Sequence, residues 1–522
     1  MDECQTGTGM TIKPTPVSCR GTIYYWCALG LVSSLLVIPV LTVTYTPLVD
    51  YPNHLARVHI LYKYADVPAY QSAYTRVLEP LPNLAMELLL LPLLPFVDIL
   101  AAGKIFLTLT LLLFIVGCHQ LGTAIHGRPT WLVLPSLFFV YNSMFFYGFV
   151  NYIVGVGVFC LALACRLRLR VKWTVGRFLM LTLLAFLSFV AHLSAYLFIG
   201  VTMVVVTAWD YFTGKEDLRT AALNLTPLVL PLVFFVVFMM GGGTLGHVQS
   251  NTVSGKIIGV LSLVLTYNYT LDSLLMMGFL GVLIVLLTRL QRVRVDWPIF
   301  LSAAIFAFLY LLSPKVLFGS SSADARLILP AALLFTLSLK LSVPPITARL
   351  LLLLLLSLAS IRVVFIWRTW VNLDKRIAAE VEVLKQLPSG ATVYPIFVRS
   401  ESRQEQKVER SLVHIVLYAT IYRQALVPTL FTQEGQVNIA FRYKPNYTQP
   451  PHQQPEEWVQ RSNEWMPYLG AYDYVWSYGV QGELDHLLRK RCMKIHEAGA
   501  FSLWRVDHQY QSHNTPASQS EY

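Results

Sequence analysis

The sequence predicts an α-helical polytopic membrane bundle of about eleven spans, with an extracytoplasmic α/β domain at its C-terminal end. Three observations point there. Charged residues make up 13% of the 522 residues and hydrophobic ones 55%, whereas soluble domains carry about 25% charged residues; the mean hydropathy is +0.55. Apolar runs long enough for a ~30 Å hydrocarbon core recur through the first two thirds of the chain, with Lys and Arg clustered in alternate loops. The composition then turns mixed and polar at Trp370. The expected organisation is a cytoplasmic tail over 1–20, a transmembrane domain over 21–368, an α/β domain over 369–508 and a disordered polar end over 509–522. The net charge of +11 says little without topology, because basic residues collect in cytoplasmic loops.

The N-terminal tail is polar and shows no cleavable signal peptide; the run from Ile23 to Tyr45 is long enough to span. Lys13 and Arg20 place the N-terminus inside and Asp50 outside. In residues 52–76, Leu55, Val58, His59 and Tyr62 recur at helical spacing among polar residues, which suits a juxtamembrane helix on the outer surface. Spans follow at 83–100, 104–124 and 130–165. The last is too long for one crossing and is expected to break near Asn142-Ser143. Arg166, Arg168, Arg170, Lys172 and Arg177 mark the inside. Two short spans over 178–211 turn back near His192, and Lys215 to Arg219 form an inside loop.

A span at 221–240 leads out to the Gly-rich stretch Gly241 to His247, and 257–269 suits the outer interface. The span at 271–289 returns to Arg289, Arg292 and Arg294, and spans at 297–313, 326–342 and 348–367 complete the bundle. In the tail, helices are expected near 374–387 and from Ser411 to Tyr422. A strand is expected over Ala391 to Val398, followed later by the stretch Tyr472 to Trp476 and a hairpin from Cys492 to His496 and Phe501 to Val506.

The seven cysteines form neither a disulfide framework nor a CxxC metal signature. Nucleophile triads, P-loops, dinucleotide fingerprints and solenoid repeats are absent, and nothing suggests nucleic-acid binding.

Four polar groups fall on the expected outer side. In the stretch Asp50-Tyr51-Pro52-Asn53-His54-Leu55-Ala56-Arg57, an Asp followed by Pro reads as a helix start. Asp50, His54 and Arg57 then share one side of that helix. The plain alternative makes Asp50 a cap and Arg57 a headgroup anchor. Asn83 and Glu87 stand at i and i+4 at the outer end of a span. Carboxylates in apolar helices tend to be functional, although Glu87 pairing with Arg57 is the equal alternative. His192 sits at the turn of two spans, a position where histidine is often structural. Lys315, Asp324 and Arg326 belong to a Gly/Ser-rich loop. An arginine fork suits a phosphate, and simple snorkelling is the alternative for Arg326.

Together with Pro82-Asn83-Leu84-Ala85, Gly148 to Tyr152 with Gly155 and Gly157, Ala191-His192-Leu193 and Phe318-Gly319, these motifs resemble bacterial multi-span proteins of the C-type (GT-C) glycosyltransferase superfamily. The resemblance covers most of the chain. It implies a polyprenyl-phosphate-linked sugar as donor and a glycan, lipid or protein hydroxyl outside the membrane as acceptor. It also implies residence in a bacterial inner (cytoplasmic) membrane, with the C-terminal domain on the periplasmic side. The acid of the first external loop would be the base. Asp50 takes that role, with Glu87 as fallback because this loop has one acid where many members have two. Phosphate binding maps to Arg326 and Lys315, assisted by His54 or Arg57. No cofactor is demanded, although Asp50, His54 and His192 are capable metal donors. A transporter or flippase for a lipid-linked sugar, or a non-catalytic membrane scaffold, would use the same polar groups.

Overall fold

The computed structural model describes residues 19–77, 82–171, 173–240, 248–289, 293–317, 320–341, 345–432 and 437–508. The N-terminal tail up to Ser18, Lys172, the Gly241 to His247 stretch, Arg292, Phe318-Gly319 and the 509–522 end lie outside the described residues.

Helix α1 (Cys19–Thr42) ends where Asp374 Oδ1 accepts from Thr44 N at 3.0 Å and Tyr45 N at 2.6 Å. Helix α2 (Tyr51–Lys63), with Pro52 in its first turn, is followed by α3 (Pro68–Ala73) and strand β1 (Tyr74–Arg76). The juxtamembrane segment is therefore not one surface helix. Every residue from Tyr51 to Val58 is buried. The polar positions face protein instead of headgroups: Asn53 Nδ2 donates to Thr429 O at 2.9 Å, and its Oδ1 accepts from Phe431 N at 2.8 Å. Tyr70 Oη donates to Thr420 O at 2.9 Å, and β1 pairs antiparallel with β5 (Ile439–Phe441) of the tail.

The span expected at 83–100 is reduced to α4 (Ala85–Leu90) and a run of turns. Pro92 and Pro95 explain this, since each removes a helix donor and crowds the preceding turn. Helix α5 (Ile99–His126) begins on Asp98, whose side chain accepts from Leu100 N and Ala101 N. The 130–165 run does break at Asn142. Short helices α6 (Val133–Leu137) and α7 (Ser143–Phe146) precede α8 (Val150–Val171), and Asn142 Oδ1 caps α7 through Met144 N at 2.8 Å. Next come α9 (Val175–Ala191), α10 (Leu193–Phe212), α11 (Leu218–Leu225), α12 (Val229–Met240), α13 (Val253–Val260) and α14 (Tyr269–Arg289). The remaining bundle elements are β2 (Val293–Val295), α15 (Trp297–Leu312), α16 (Ile328–Ser338) and β3 (Leu339–Leu341), with β2 and β3 antiparallel. Among the described residues, six helices are long and apolar enough to cross a membrane; six further apolar stretches have 10–17 residues. The chain is an integral membrane protein by that measure.

The boundary expected near Trp370 is not a break. Helix α17 (Pro345–Leu384) runs 40 residues through it, because no Gly or Pro occurs between Ile346 and Leu384. At ~1.5 Å per residue this is roughly twice a ~30 Å core, so the tail is joined to the bundle by a continuous rod. Beyond it lie β4 (Val393–Phe397), α18 (Arg403–Glu409), α19 (Tyr418–Arg423), α20 (Pro455–Gln460), α21 (Ser462–Trp465), β6 (Tyr474–Tyr478), α22 (Gly482–Arg489), β7 (Cys492–Ala498) and β8 (Phe501–Val506). The sheet order is β4-β6-β8-β7, parallel between β4 and β6 and antiparallel elsewhere. One sheet face packs on Trp458, Trp465 and Leu469. The other joins the main core through Trp476, Phe501 and Leu503, with Trp476 Nε1 donating to Glu380 Oε1 on α17 at 2.8 Å.

Asn53→Ala removes both hydrogen bonds that tie α2 to the 429–431 segment and leaves a half-buried carbonyl and N–H without their partner. A destabilisation of about 2–4 kcal/mol is expected, read as a lowered melting temperature in detergent and faster proteolysis after Arg423.

Candidate active site

Asp50 sits between α1 and α2. The helix starts where expected, but the Asp50 side chain makes no capping hydrogen bond. Its backbone does the anchoring: Asp50 N donates to Tyr147 O at 3.0 Å, and Asp50 O accepts from His54 N at 3.0 Å. Gly148 makes this approach possible. Its φ is +89°, and a Cβ there would lie 2.8 Å from Asp50 N. The Asp50 carboxylate is thereby left free to face a cluster drawn from the whole chain.

The cluster has four further contributors. Arg326 enters from the short helical turn Ala325–Leu327, close enough that each of the two charges acts on the other. Its guanidinium lies over the Phe149 ring at 4.9 Å. Nη2 donates to Ser320 Oγ at 2.9 Å and Ser321 O at 3.1 Å, while Nε is buried with no partner. Tyr152 on α8 donates to Arg326 O at 2.6 Å. Its ring meets His192 edge-on at 5.6 Å. His192 caps α10 by accepting from Ser194 N at 3.1 Å through Nδ1. From the tail, His414 brings Nε2 to 3.6 Å from Asp50 Oδ1, and Phe431 stands edge-on between His414 and His54.

Electrostatics separate these groups. Burial pushes the Asp50 carboxyl up to about 7, against a smaller downward pull from Arg326. Burial pushes His414 down to about 4, so near neutral pH it is uncharged, and its contact with Asp50 is polar instead of ionic. His54 is held well below its ordinary value by burial first, then by the charge of Arg57. Because Asp50 keeps a proton in the folded state that the unfolded chain releases above about 4, its contribution to stability falls as pH rises from there to about 7.

The remaining sequence candidates are placed differently. Arg57 turns to Glu87 in a fully buried ion pair, with Arg57 Nε donating to Glu87 Oε1 at 2.8 Å. Glu87 is thus engaged away from Asp50. Asn83 contributes backbone: its N–H donates to Val190 O at 3.0 Å and its carbonyl accepts from Asn151 Nδ2 at 2.8 Å. Asp324 accepts from Lys256 Nζ at 2.7 Å and Asn251 Nδ2 at 2.8 Å. Lys256, not Lys315, is its cation; Lys315 is exposed. Asp50, His54 and His192 do not come together as a metal-binding group; among the described residues no cluster of three or more such side chains does. Sequence reading missed His414 and Lys256. Each is a lone polar residue in or beside an apolar run, the one signal that was available.

No family model matches the sequence, and no curated protein matches it significantly. The chain is similar in structure to ArnT. The ArnT from Cupriavidus metallidurans bound to undecaprenyl phosphate superposes with a TM-score of 0.49 at 12% identity, covering 93% of this chain and 98% of that one. Its apo state gives 0.49 at 11% identity, covering 94% and 98%.

Removing one member of the Arg57–Glu87 pair strands a buried charge. Arg57→Met or Glu87→Gln is expected to lower stability by about 3–5 kcal/mol. The double variant Arg57→Met/Glu87→Leu should recover most of that loss, measured by thermal unfolding in detergent.

Proposed function

We propose that this protein is a membrane glycosyltransferase of the GT-C type. It moves a sugar from a polyprenyl-phosphate donor to a hydroxyl of an extracytoplasmic glycan, lipid or protein, with inversion. The observation that carries the reading is the meeting of Asp50, from the first loop, with Arg326, from the far end of the bundle, in one buried cluster. On this reading the membrane is a bacterial inner membrane crossed about eleven times, and the Asp50 cluster and the C-terminal unit are on its outer side.

The chemistry follows from the two groups. The acceptor oxygen attacks the anomeric carbon and the C–O bond to the phosphate breaks, its electron pair leaving with the phosphate oxygen. Asp50 takes the proton of the acceptor hydroxyl. A carboxyl lifted to about 7 is a stronger base than an exposed one and is still half ionised near neutral pH. The phosphate gains negative charge in the transition state. A guanidinium held on Phe149 and Ser320 with Nε unpaired offers a fixed donor at that point, and fixed donors stabilise developing charge at little reorganisation cost. Attack by Asp50-activated oxygen opposite the leaving phosphate inverts the carbon. Phe149, Phe431 and Tyr152 restrict water around the cluster.

The ionised form of Asp50 is the active one, so kcat/KM should rise with pH through about 7. Arg326 lowers the Asp50 value, so Arg326→Met should shift that limb to higher pH as well as cut the rate about 100- to 1000-fold. Asp50→Asn should lose at least about 100-fold. Labelled polyprenyl-phosphate sugars and acceptors provide the assay. Undiminished transfer by folded Asp50→Asn would remove Asp50 as the base. Movement of labelled donor across a bilayer without transfer would instead assign a flippase.

A further inference from the structure

A cavity of about 480 Å³ opens at the other end of the bundle. Helix α8 starts beside Gly148 and Asp50 and carries Arg170 to that end, 22 residues and roughly 33 Å along its axis. Helix α10 starts at His192 and reaches Trp209; α16 follows Arg326 and leads to Lys340. Three helices that begin at the Asp50 cluster thus lead here. The cavity is lined by Arg170, Trp209, Lys215, Asp296, Trp297 and Lys340, with apolar residues of α5 and α8 between them.

Its charges do not cancel. Behind the cavity, fully buried Arg166 donates to Glu216 at 3.1 Å and lies 3.6 Å from Asp210. Arg170 pairs with Asp210, and Lys340 pairs with Asp296 at 2.9 Å. Among the described residues Lys215 pairs with Asp210 alone, at 4.0 Å, an acid already shared by two arginines. Among the described residues these ion pairs join four cations to three carboxylates, and Lys215 has the longest contact. Asp217, in the same loop, turns to Thr220 N at the start of α11 and makes no ion pair with Lys215. A second demand comes from Asp296: its Oδ1 is buried with no hydrogen-bond partner. An occupant therefore needs an anion for Lys215 and a donor for Asp296. Two tryptophans mark the rim, Trp297 more than half exposed, and tryptophan sits at the headgroup level of a bilayer.

We propose that this cavity binds the phosphate headgroup of an anionic phospholipid from the leaflet opposite the Asp50 cluster, one whose headgroup hydroxyls can donate to Asp296. The phosphate pairs with Lys215 and Arg170, and the acyl chains leave past Trp297. Basic pockets between membrane helices take phosphate headgroups in this way. The site is independent of the reaction at Asp50.

The full-length protein in neutral detergent would be titrated with phosphatidylglycerol or phosphatidylcholine, and lipid adducts counted by native mass spectrometry. Inorganic phosphate would serve as competitor. Phosphatidylglycerol is expected to bind in preference to phosphatidylcholine. Lys215→Ala should weaken that binding about fivefold, the effect of one lysine at an anionic surface. Lys215 has its side chain 56% exposed, so this variant should fold, and an unchanged melting temperature checks it. Lys490→Ala, exposed in the C-terminal unit, should change nothing. Lys215-dependent binding of inorganic phosphate with no preference between the lipids would keep the anion site and overturn the lipid as its occupant. Equal adducts of both lipids, unaffected by Lys215→Ala and by phosphate, would overturn the proposal entirely.

Discussion

The burial of α2 between the bundle and the C-terminal unit is the constraint on which the rest of this structure depends. A helix carrying Asn and Arg enters a packed interior at tolerable cost when those side chains find partners there. Asn53 finds two backbone groups of the 429–431 segment, and Arg57 finds Glu87. Those contacts set the position of the helix start, and with it Asp50. The close approach of Gly148 to Asp50 N then holds the turn from the other side. Asp50 is therefore fixed by its backbone, and its carboxylate carries no structural hydrogen bond within the helix.

From this placement the electrostatics follow. A carboxyl among Phe149, Phe431 and neutral histidines loses hydration, which raises its proton affinity; one guanidinium, Arg326, acts against that. The opposite end of the bundle is solved differently. There, Arg166, Arg170 and Lys340 are matched to acids in buried or half-buried pairs, and the imbalance is pushed to the rim at Lys215. The same helices run between the two ends, so a chain with +11 net charge sets Arg326 and Lys215 at two separate places.

The long helix α17 gives the C-terminal unit its reach. Because it continues without a Gly or Pro past Trp370, the unit is held against α1 by Asp374 and against α2 by Asn53. That closeness brings His414 to Asp50. A flexible linker at Trp370, where the composition changes, would leave the 411–431 segment free of the first loop.

Much of this was legible in the chain itself. Apolar runs and alternating basic loops identified a membrane protein, because the cost of burying charge in hydrocarbon is large and local. The break at Asn142, the helix start after Asp50 and the hairpin from Cys492 to Val506 were visible for the same reason: capping, proline and alternation act over a few residues. The sequence also brought Asp50 and Arg326 forward as chemical candidates, by residue type and expected side. Tertiary structure alone decided which candidates share a site. It turned Glu87 toward Arg57, gave Asp324 to Lys256, used Asn83 through its backbone and added His414 from the tail. Such pairings depend on contacts between segments distant in sequence, and local residue spacing carries no record of them.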